Sequence, residues 1–347
     1  MKFRRMLGLA SFIWLVSASP NVHADTSGQQ LAEGAGRPLI GARAPQFVLR
    51  TIDGQTIDLG QLYGRQAVYL KFWATWCVPC REQMPHFEHV YETAGPDLAV
   101  IAINSGFNDT VDDVRAYRQK LGITMPIVLD DGQAGAAFNL RVTPQHIVIG
   151  RDGRILYVGH LADARLDAAL DAARAAPVGL VSGPGGGPNV PAAIVHYRVG
   201  DRLPKQSPQT IDGAPFPFRD PGATGRTVLV FLSPWCESYL ATTRPGISAS
   251  CRRMREQVAA LANAPGTRWL GIASGLWATP DDLRQYRTKY VVGIPLALDE
   301  SGALFRSFAV NQVPTALIVD TSGRIVRRIE GSDLGAPAAM RTAIQSP

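Results

Sequence analysis

The 347-residue sequence predicts an α/β fold, strands joined by helices, present in two tandem copies. Three observations carry that expectation. The chain repeats itself: Gly41-Ala42-Arg43-Ala44-Pro45 returns as Gly200-Asp201-Arg202-Leu203-Pro204, Thr51-Ile52-Asp53-Gly54 as Thr210-Ile211-Asp212-Gly213, and Trp76-Cys77 as Trp235-Cys236, all at one offset of 159 residues. Within each copy, short apolar runs alternate with longer polar ones of helical period, the pattern of strands joined by helices. Each copy also closes on two apolar runs separated by a tight turn, Arg151-Asp152-Gly153-Arg154 and Thr321-Ser322-Gly323-Arg324, whose Asp-Gly and Ser-Gly pairs favour a hairpin.

The elements follow in order. Ala67-Val68-Tyr69-Leu70-Lys71-Phe72-Trp73 reads as a strand that ends at Trp76-Cys77-Val78-Pro79-Cys80, where a helix begins. An apolar strand at Leu98 to Ile103 and a polar helix at Thr110 to Leu121 come next, then strands at Gln145 to Ile149 and Ile155 to Val158. Their counterparts are Trp269 to Ala273, Pro280 to Tyr290, Thr315 to Val319 and Ile325 to Ile329. Met125-Pro126-Ile127-Val128-Leu129-Asp130 matches Ile294-Pro295-Leu296-Ala297-Leu298-Asp299 at an offset of 169, and Val142-Thr143-Pro144 matches Gln312-Val313-Pro314 at 170. The second copy has therefore gained about a dozen residues near its cysteine turn. Cys80-Arg81 pairs with Cys251-Arg252, which places the insertion at Glu237 to about Ser250. The first copy is assigned to residues 39–176 and the second to 197–347; residues 177–196, rich in Gly and Pro and without apolar periodicity, read as a linker.

The N-terminus reads as an address. Met1-Lys2-Phe3-Arg4-Arg5, the apolar run Met6 to Val16, and Val22-His23-Ala24 are a basic region, a short hydrophobic region and a small-x-small site, the pattern of a secretory signal peptide. We expect residues 1–24 to be removed after Ala24 and the product to be soluble and periplasmic, because the run is short for a bilayer span and no cysteine follows it at a lipidation position. The formal charge of +6 falls by three once Lys2, Arg4 and Arg5 leave, which is no nucleic-acid footprint.

Chemistry concentrates at Cys77 and Cys80. Two thiols two residues apart, delivered by a strand to the start of a helix, are arranged to make and break a disulfide. The helix N-terminus turns its unpaired N–H groups and positive dipole end toward the sulfur and favours thiolate, which makes Cys77 a nucleophile and a good leaving group. A zinc site would need a second close pair, whereas Cys236 and Cys251 are far apart in sequence and no histidine follows His196. A purely structural role is disfavoured because so short a loop constrains the unfolded chain very little.

Lys71-Phe72-Trp73-Ala74-Thr75-Trp76-Cys77-Val78-Pro79-Cys80-Arg81, the later Thr143-Pro144 and the Asp152-Gly153-Arg154-Ile155 turn together resemble the TlpA/ResA/CcmG branch of exported thioredoxin-like thiol-disulfide oxidoreductases. The resemblance implies a thioredoxin fold, a central mixed β-sheet flanked by helices, and an enzyme that reduces disulfides in protein substrates without a cofactor, fed by a membrane thiol reductase. Cys77 is then the attacking thiol and Cys80 the resolving one. Pro144 is the cis-proline, Thr143 before it pairs with a bound substrate segment, and Trp76 shields one side of the site. Proline suits that place because a cis bond is cheap only before proline and its missing N–H leaves an edge open for a substrate strand.

Two residues depart from the family. Lys71 stands where thioredoxins carry an acid and this branch often an asparagine; an ammonium beneath the dithiol would stabilise thiolate and tune its pKa, whereas a side chain that snorkels outward would not, and the sequence leaves both orientations open. Gln83 replaces the usual glutamate, with an acid at Glu82 instead. His146 shares a strand face with Pro144, which leaves a copper-binding chaperone of the Sco type as the alternative, the dithiol serving as ligands. A peroxidase is disfavoured, since the peroxidatic pattern asks for Pro seven and Thr or Ser three residues before the cysteine, and Cys77 has Leu70 and Ala74 there. In the second copy Cys236 lacks the proline, Val230 replaces Lys71, and Cys236 and Cys251 are expected to form a structural disulfide, the alternative being a relay that passes electrons between the copies.

Overall fold

The computed structural model describes residues 20–179, 194–220, 222, 224–263, 265–335 and 339–345. The expected export segment up to residue 19 and most of the expected linker, residues 180–193, lie outside the described residues. The chain enters through α1 (Pro20–Gly36), which runs past the expected cleavage position at Ala24. Its glycines make it hard to see in the sequence and explain how it packs. A Cβ on Gly36 would come within 2.6 Å of Val158, and one on Gly28 within 2.5 Å of the His160 ring, so only a bare backbone can lie this close.

The first copy then builds β1 (Val48–Arg50), β2 (Thr56–Asp58), α2 (Leu59–Leu62), β3 (Ala67–Trp73), α3 (Val78–Glu82), α4 (Met84–Glu92), β4 (Leu98–Asn104), α5 (Val111–Leu121), β5 (Ile127–Leu129), α6 (Gln133–Ala137), β6 (Gln145–Ile149), β7 (Ile155–Gly159) and α7 (Ala164–Ala175). β1 and β2 form a hairpin; the others make a sheet of order β5-β4-β3-β6-β7. β3, β4 and β5 are parallel, while β6 and β7 are antiparallel, which is the mixed sheet the family resemblance implies. β3 lies in the middle and every residue of it is buried. Its alternation feeds two cores: Val68, Leu70 and Phe72 face one, Tyr69 and Trp73 the other. α5 starts on a capping box, the Thr110 hydroxyl and Asp113 carboxylate each bonded to the other's backbone N–H. Between α3 and α4 the helix kinks at Gln83, because Pro85 has no N–H to continue the ladder.

The second copy comprises β8 (Thr227–Leu232), α8 (Cys236–Thr243), α9 (Pro245–Leu261), β9 (Arg268–Ser274), α10 (Pro280–Tyr290), β10 (Leu296–Asp299), α11 (Ala303–Ser307), β11 (Thr315–Val319), β12 (Ile325–Glu330) and α12 (Ala339–Gln345). Its sheet, β10-β9-β8-β11-β12, has the strand order and directions of the first. The inserted residues form α8 and the first turns of α9, and Pro245 opens α9 at a position where its missing N–H costs nothing. Trp76 and Phe107 of the first copy share one buried apolar cluster with Leu240, Leu276 and Phe305 of the second, so the two units pack against each other through the ends that carry the cysteines. Among the described residues no helix is long and apolar enough to cross a membrane.

Candidate active site

Cys77 is the N-cap of α3, and its position follows from the strand before it: β3 ends at Trp73 and the chain turns through Ala74 to Trp76. The structure holds Cys77 and Cys80 as a disulfide with their Cα atoms 5.2 Å apart. The Cys80 N–H donates to Cys77 Sγ at 3.2 Å, so an α3 amide already points at the sulfur that would carry charge as a thiolate. Cys77 Sγ lies 3.3 Å from the Thr143 carbonyl oxygen. The Thr143-Pro144 peptide is cis, and so is Val313-Pro314 in the second copy. The Trp76 indole N–H donates to the Phe107 carbonyl at 2.7 Å, which fixes the ring beside the turn.

Lys71 does not reach outward; its side chain is wholly buried in the middle of β3, on the sheet face shared with Tyr69 and Trp73. Its Nζ finds no hydrogen-bond partner among the described residues and sits 5.1 Å from the centre of the Phe87 ring on α4. Burial without a counter-ion pulls its pKa down from 10.5 to about 7. Across the β3–β6 register Lys71 faces His146. The Tyr69 hydroxyl bonds His146 Nδ1 at 2.8 Å, and Nε2 lies 2.9 Å from Gln83 Oε1 and 3.2 Å from the His160 carbonyl. With two acceptor oxygens at Nε2, the proton belongs there and Nδ1 accepts from Tyr69. Burial, and after it the Lys71 charge, hold the His146 pKa well below its ordinary value. The ring thus links Tyr69 to Gln83 and His160, with both of its nitrogens engaged; among the described residues no group of three or more His, Cys, Asp or Glu is placed to hold a metal. His160 continues the link, its Nδ1 bonding the Pro144 carbonyl at 2.7 Å. His86 pairs instead with Asp167 at 3.1 Å and His89 lies on the exposed face of α4.

Sequence reasoning missed the residues that close the site from the other copy. The Val78 N–H, at the first position of α3, donates to the Tyr239 hydroxyl at 2.9 Å. Trp76 stacks on Trp235 with centroids 5.0 Å apart. Arg244 reaches the fully buried Asp109 carboxylate at 3.0 Å and Asp113 at 3.3 Å. Asp109 also accepts from the Thr75 N–H and hydroxyl and the Asn104 amide, which ties it to the turn before Cys77. Trp277 donates its backbone N–H to the Arg141 carbonyl at 2.8 Å and its indole N–H to the Thr143 hydroxyl at 3.3 Å. In this arrangement Cys77 is 1% exposed and Thr143 is fully buried. Pairing between copies leaves no local pattern; the available hint was the insertion itself, with an aromatic and an arginine inside it. In the second copy Cys236 and Cys251 form a disulfide between the first residue of α8 and the middle of α9, with Cα atoms 6.3 Å apart.

The AhpC/TSA family matches this chain over residues 40–158, within the first copy. Thioredoxin-like protein YneN of Bacillus subtilis is 33% identical over 134 residues, 38% of this chain and 78% of that protein. The thiol-disulfide oxidoreductase ResA of Halalkalibacterium halodurans is 36% identical over 120 residues, 34% of this chain and 66% of that protein. Among solved structures, a thiol:disulfide interchange protein of the thioredoxin family from Chlorobium tepidum is 28% identical with a TM-score of 0.35, covering 39% of this chain and 97% of that one.

Proposed function

This chain belongs to the thioredoxin-like thiol-disulfide oxidoreductases, and we propose that it reduces disulfides in exported protein substrates, with Cys77 as nucleophile and Cys80 as resolving thiol. The observation that carries this reading is the placement of Cys77 Sγ between the Cys80 N–H at the start of α3 and the Thr143 carbonyl before the cis-proline. In the reduced enzyme the Cys77 thiolate attacks one sulfur of a substrate disulfide, a mixed disulfide forms and the other substrate sulfur leaves as thiolate. Cys80 then attacks Cys77 Sγ, the second substrate sulfur departs, and the enzyme ends as the Cys77–Cys80 disulfide with two electrons passed to the substrate. A donor dithiol restores it; a membrane thiol reductase is the partner that an exported enzyme of this kind calls for. Thr143 and Pro144 present the edge on which a substrate segment lies, and Trp76 forms one wall.

Lys71 fits a proton-holding role. Burial lowers its pKa to about 7, which puts its proton exchange in the neutral range, and negative charge at the dithiol would favour its protonated form, so reduction of the dithiol and protonation of Lys71 would support each other. The unit of function is the first copy, residues 39–176, joined through residues 177–196 to the second, 197–347.

The test is a mixed-disulfide trap. Cys80→Ser leaves Cys77 able to attack and unable to be resolved, so substrate stays covalently attached and is released by reductant. Cys77→Ser traps nothing and has no reductase activity; trapping that survives in Cys77→Ser would move the chemistry to Cys236 and refute the assignment.

A further inference from the structure

We infer that the second copy is an intramolecular cap that holds the place of the protein substrate at Cys77, and that turnover requires an incoming extended protein segment to displace it. The inference rests on the reading of Cys77 as the nucleophile, and each contact that supports it falls on a part of that site. At the mouth of α3 the Tyr239 hydroxyl occupies the Val78 N–H. Beside the dithiol, Trp235 covers Trp76. At the cis-proline loop, Trp277 takes the Arg141 carbonyl and the Thr143 hydroxyl. Beneath the turn, Arg244 locks onto Asp109. A substrate strand laid before Pro144 would need this same surface.

The docking is reciprocal, which marks it as a built interface. Asn108 stands in the first copy where Trp277 stands in the second. Its N–H donates to the Asn311 carbonyl at 2.8 Å, and its Oδ1 accepts from the Val313 N–H at 2.9 Å, just before the second cis-proline. Both residues carry φ of +55°. That region is uncommon for asparagine and an outlier for tryptophan, so the surrounding contacts hold these two tips in place. Each copy thus fills the cis-proline loop of the other. With Cys77 only 1% exposed as a residue, an in-line approach of a second thiolate to its sulfur is hindered in this arrangement, so covering the site should slow exchange as well.

The experiment reads access to the disulfide directly, independently of any physiological substrate. Dithiothreitol attacks Cys77 Sγ, Cys80 leaves as thiolate, and two electrons pass to the protein as the reagent closes to its cyclic disulfide. The rate is followed in the full-length protein by alkylation and mass spectrometry, which separates Cys77–Cys80 from Cys236–Cys251. An Arg244→Ala/Trp277→Ala double variant should be reduced at Cys77–Cys80 at least tenfold faster than the unaltered protein. Arg287→Ala, which breaks an exposed pair with Asp212 within the second copy, should leave the rate unchanged. Equal rates in the unaltered protein and the folded double variant overturn the cap. If the double variant does not fold, Tyr239→Ala, at a side chain 38% exposed, carries the comparison: a severalfold rise supports the cap and no change overturns it. Because dithiothreitol is the reductant, a cap can be found even if the trap with Cys80→Ser captures nothing, and the two readings fail separately.

Discussion

Replacing Lys71 with Met removes the buried ammonium of β3 while keeping an unbranched side chain one atom shorter. The sign of its effect follows from proton counting. Burial lowers the folded-state pKa from 10.5 to about 7, so between those values the unfolded chain binds a proton that the folded protein does not. Stability therefore rises with pH across that window, and below about pH 7 the full cost of burying the charge remains, about 5 kcal/mol at 1.36 kcal/mol per unit. From pH 6 to pH 9 the unaltered protein should gain about 3 kcal/mol relative to Lys71→Met. The measurement is urea denaturation of the oxidised form of both proteins at the two pH values, since disulfide-bonded cysteines do not titrate and groups that do not sense the Lys71 charge cancel in the double difference. Parallel stability curves would mean that Lys71 keeps an ordinary pKa, and the proton-holding role would fall with it. In the reduced protein the same substitution should raise the Cys77 pKa and slow its alkylation at mildly acidic pH.

Other outcomes follow from the same geometry. Cys236→Ser/Cys251→Ser opens a loop with a sequence separation of 15 and should lower the unfolding free energy by about 3 kcal/mol while Cys77-dependent turnover persists. A double variant that melts normally but cannot be re-reduced by its donor would instead make the second copy an electron relay. Asp109→Ala strips partners from the Thr75 N–H and hydroxyl, the Asn104 amide and Arg244, and should cost about 3 kcal/mol in denaturant titration. Unaltered stability there would show that water replaces the carboxylate without penalty.

What the sequence exposes is local. β3 is readable because seven consecutive residues suit a strand buried on both faces, and α10 because Thr279 and Asp282 cap a polar helix at Pro280. β1, β2 and β5, at three residues each, are too short to show a period, and their backbone partners are supplied by the hairpin and by β4. α1 is hidden for the opposite reason: Gly28 and Gly36 remove the apolar stripe a helix usually shows, since here close backbone approach takes the place of side-chain burial. The orientation of Lys71 turns on which face of a doubly buried strand it occupies, and alternation cannot settle that when both faces are apolar. The contacts of Tyr239, Arg244 and Trp277 depend on where two sheets come to rest against each other, which neither copy encodes alone.

The insertion links two features of the second copy. Where the first copy passes from Cys77 to Cys80 in one turn, the second must traverse α8 before reaching Cys251, so its cysteines no longer form a compact dithiol at the mouth of a helix. The same inserted residues hold Tyr239 and Arg244, which close on Val78 and Asp109 of the first copy. The Cys236–Cys251 disulfide anchors α8 to α9 and so fixes the element from which those two side chains project. One stretch of sequence therefore both separates Cys236 from Cys251 and supplies the Tyr239 and Arg244 contacts to the first copy, so the Cys236→Ser/Cys251→Ser variant should also speed reduction of Cys77–Cys80 if the proposed cap depends on that anchor.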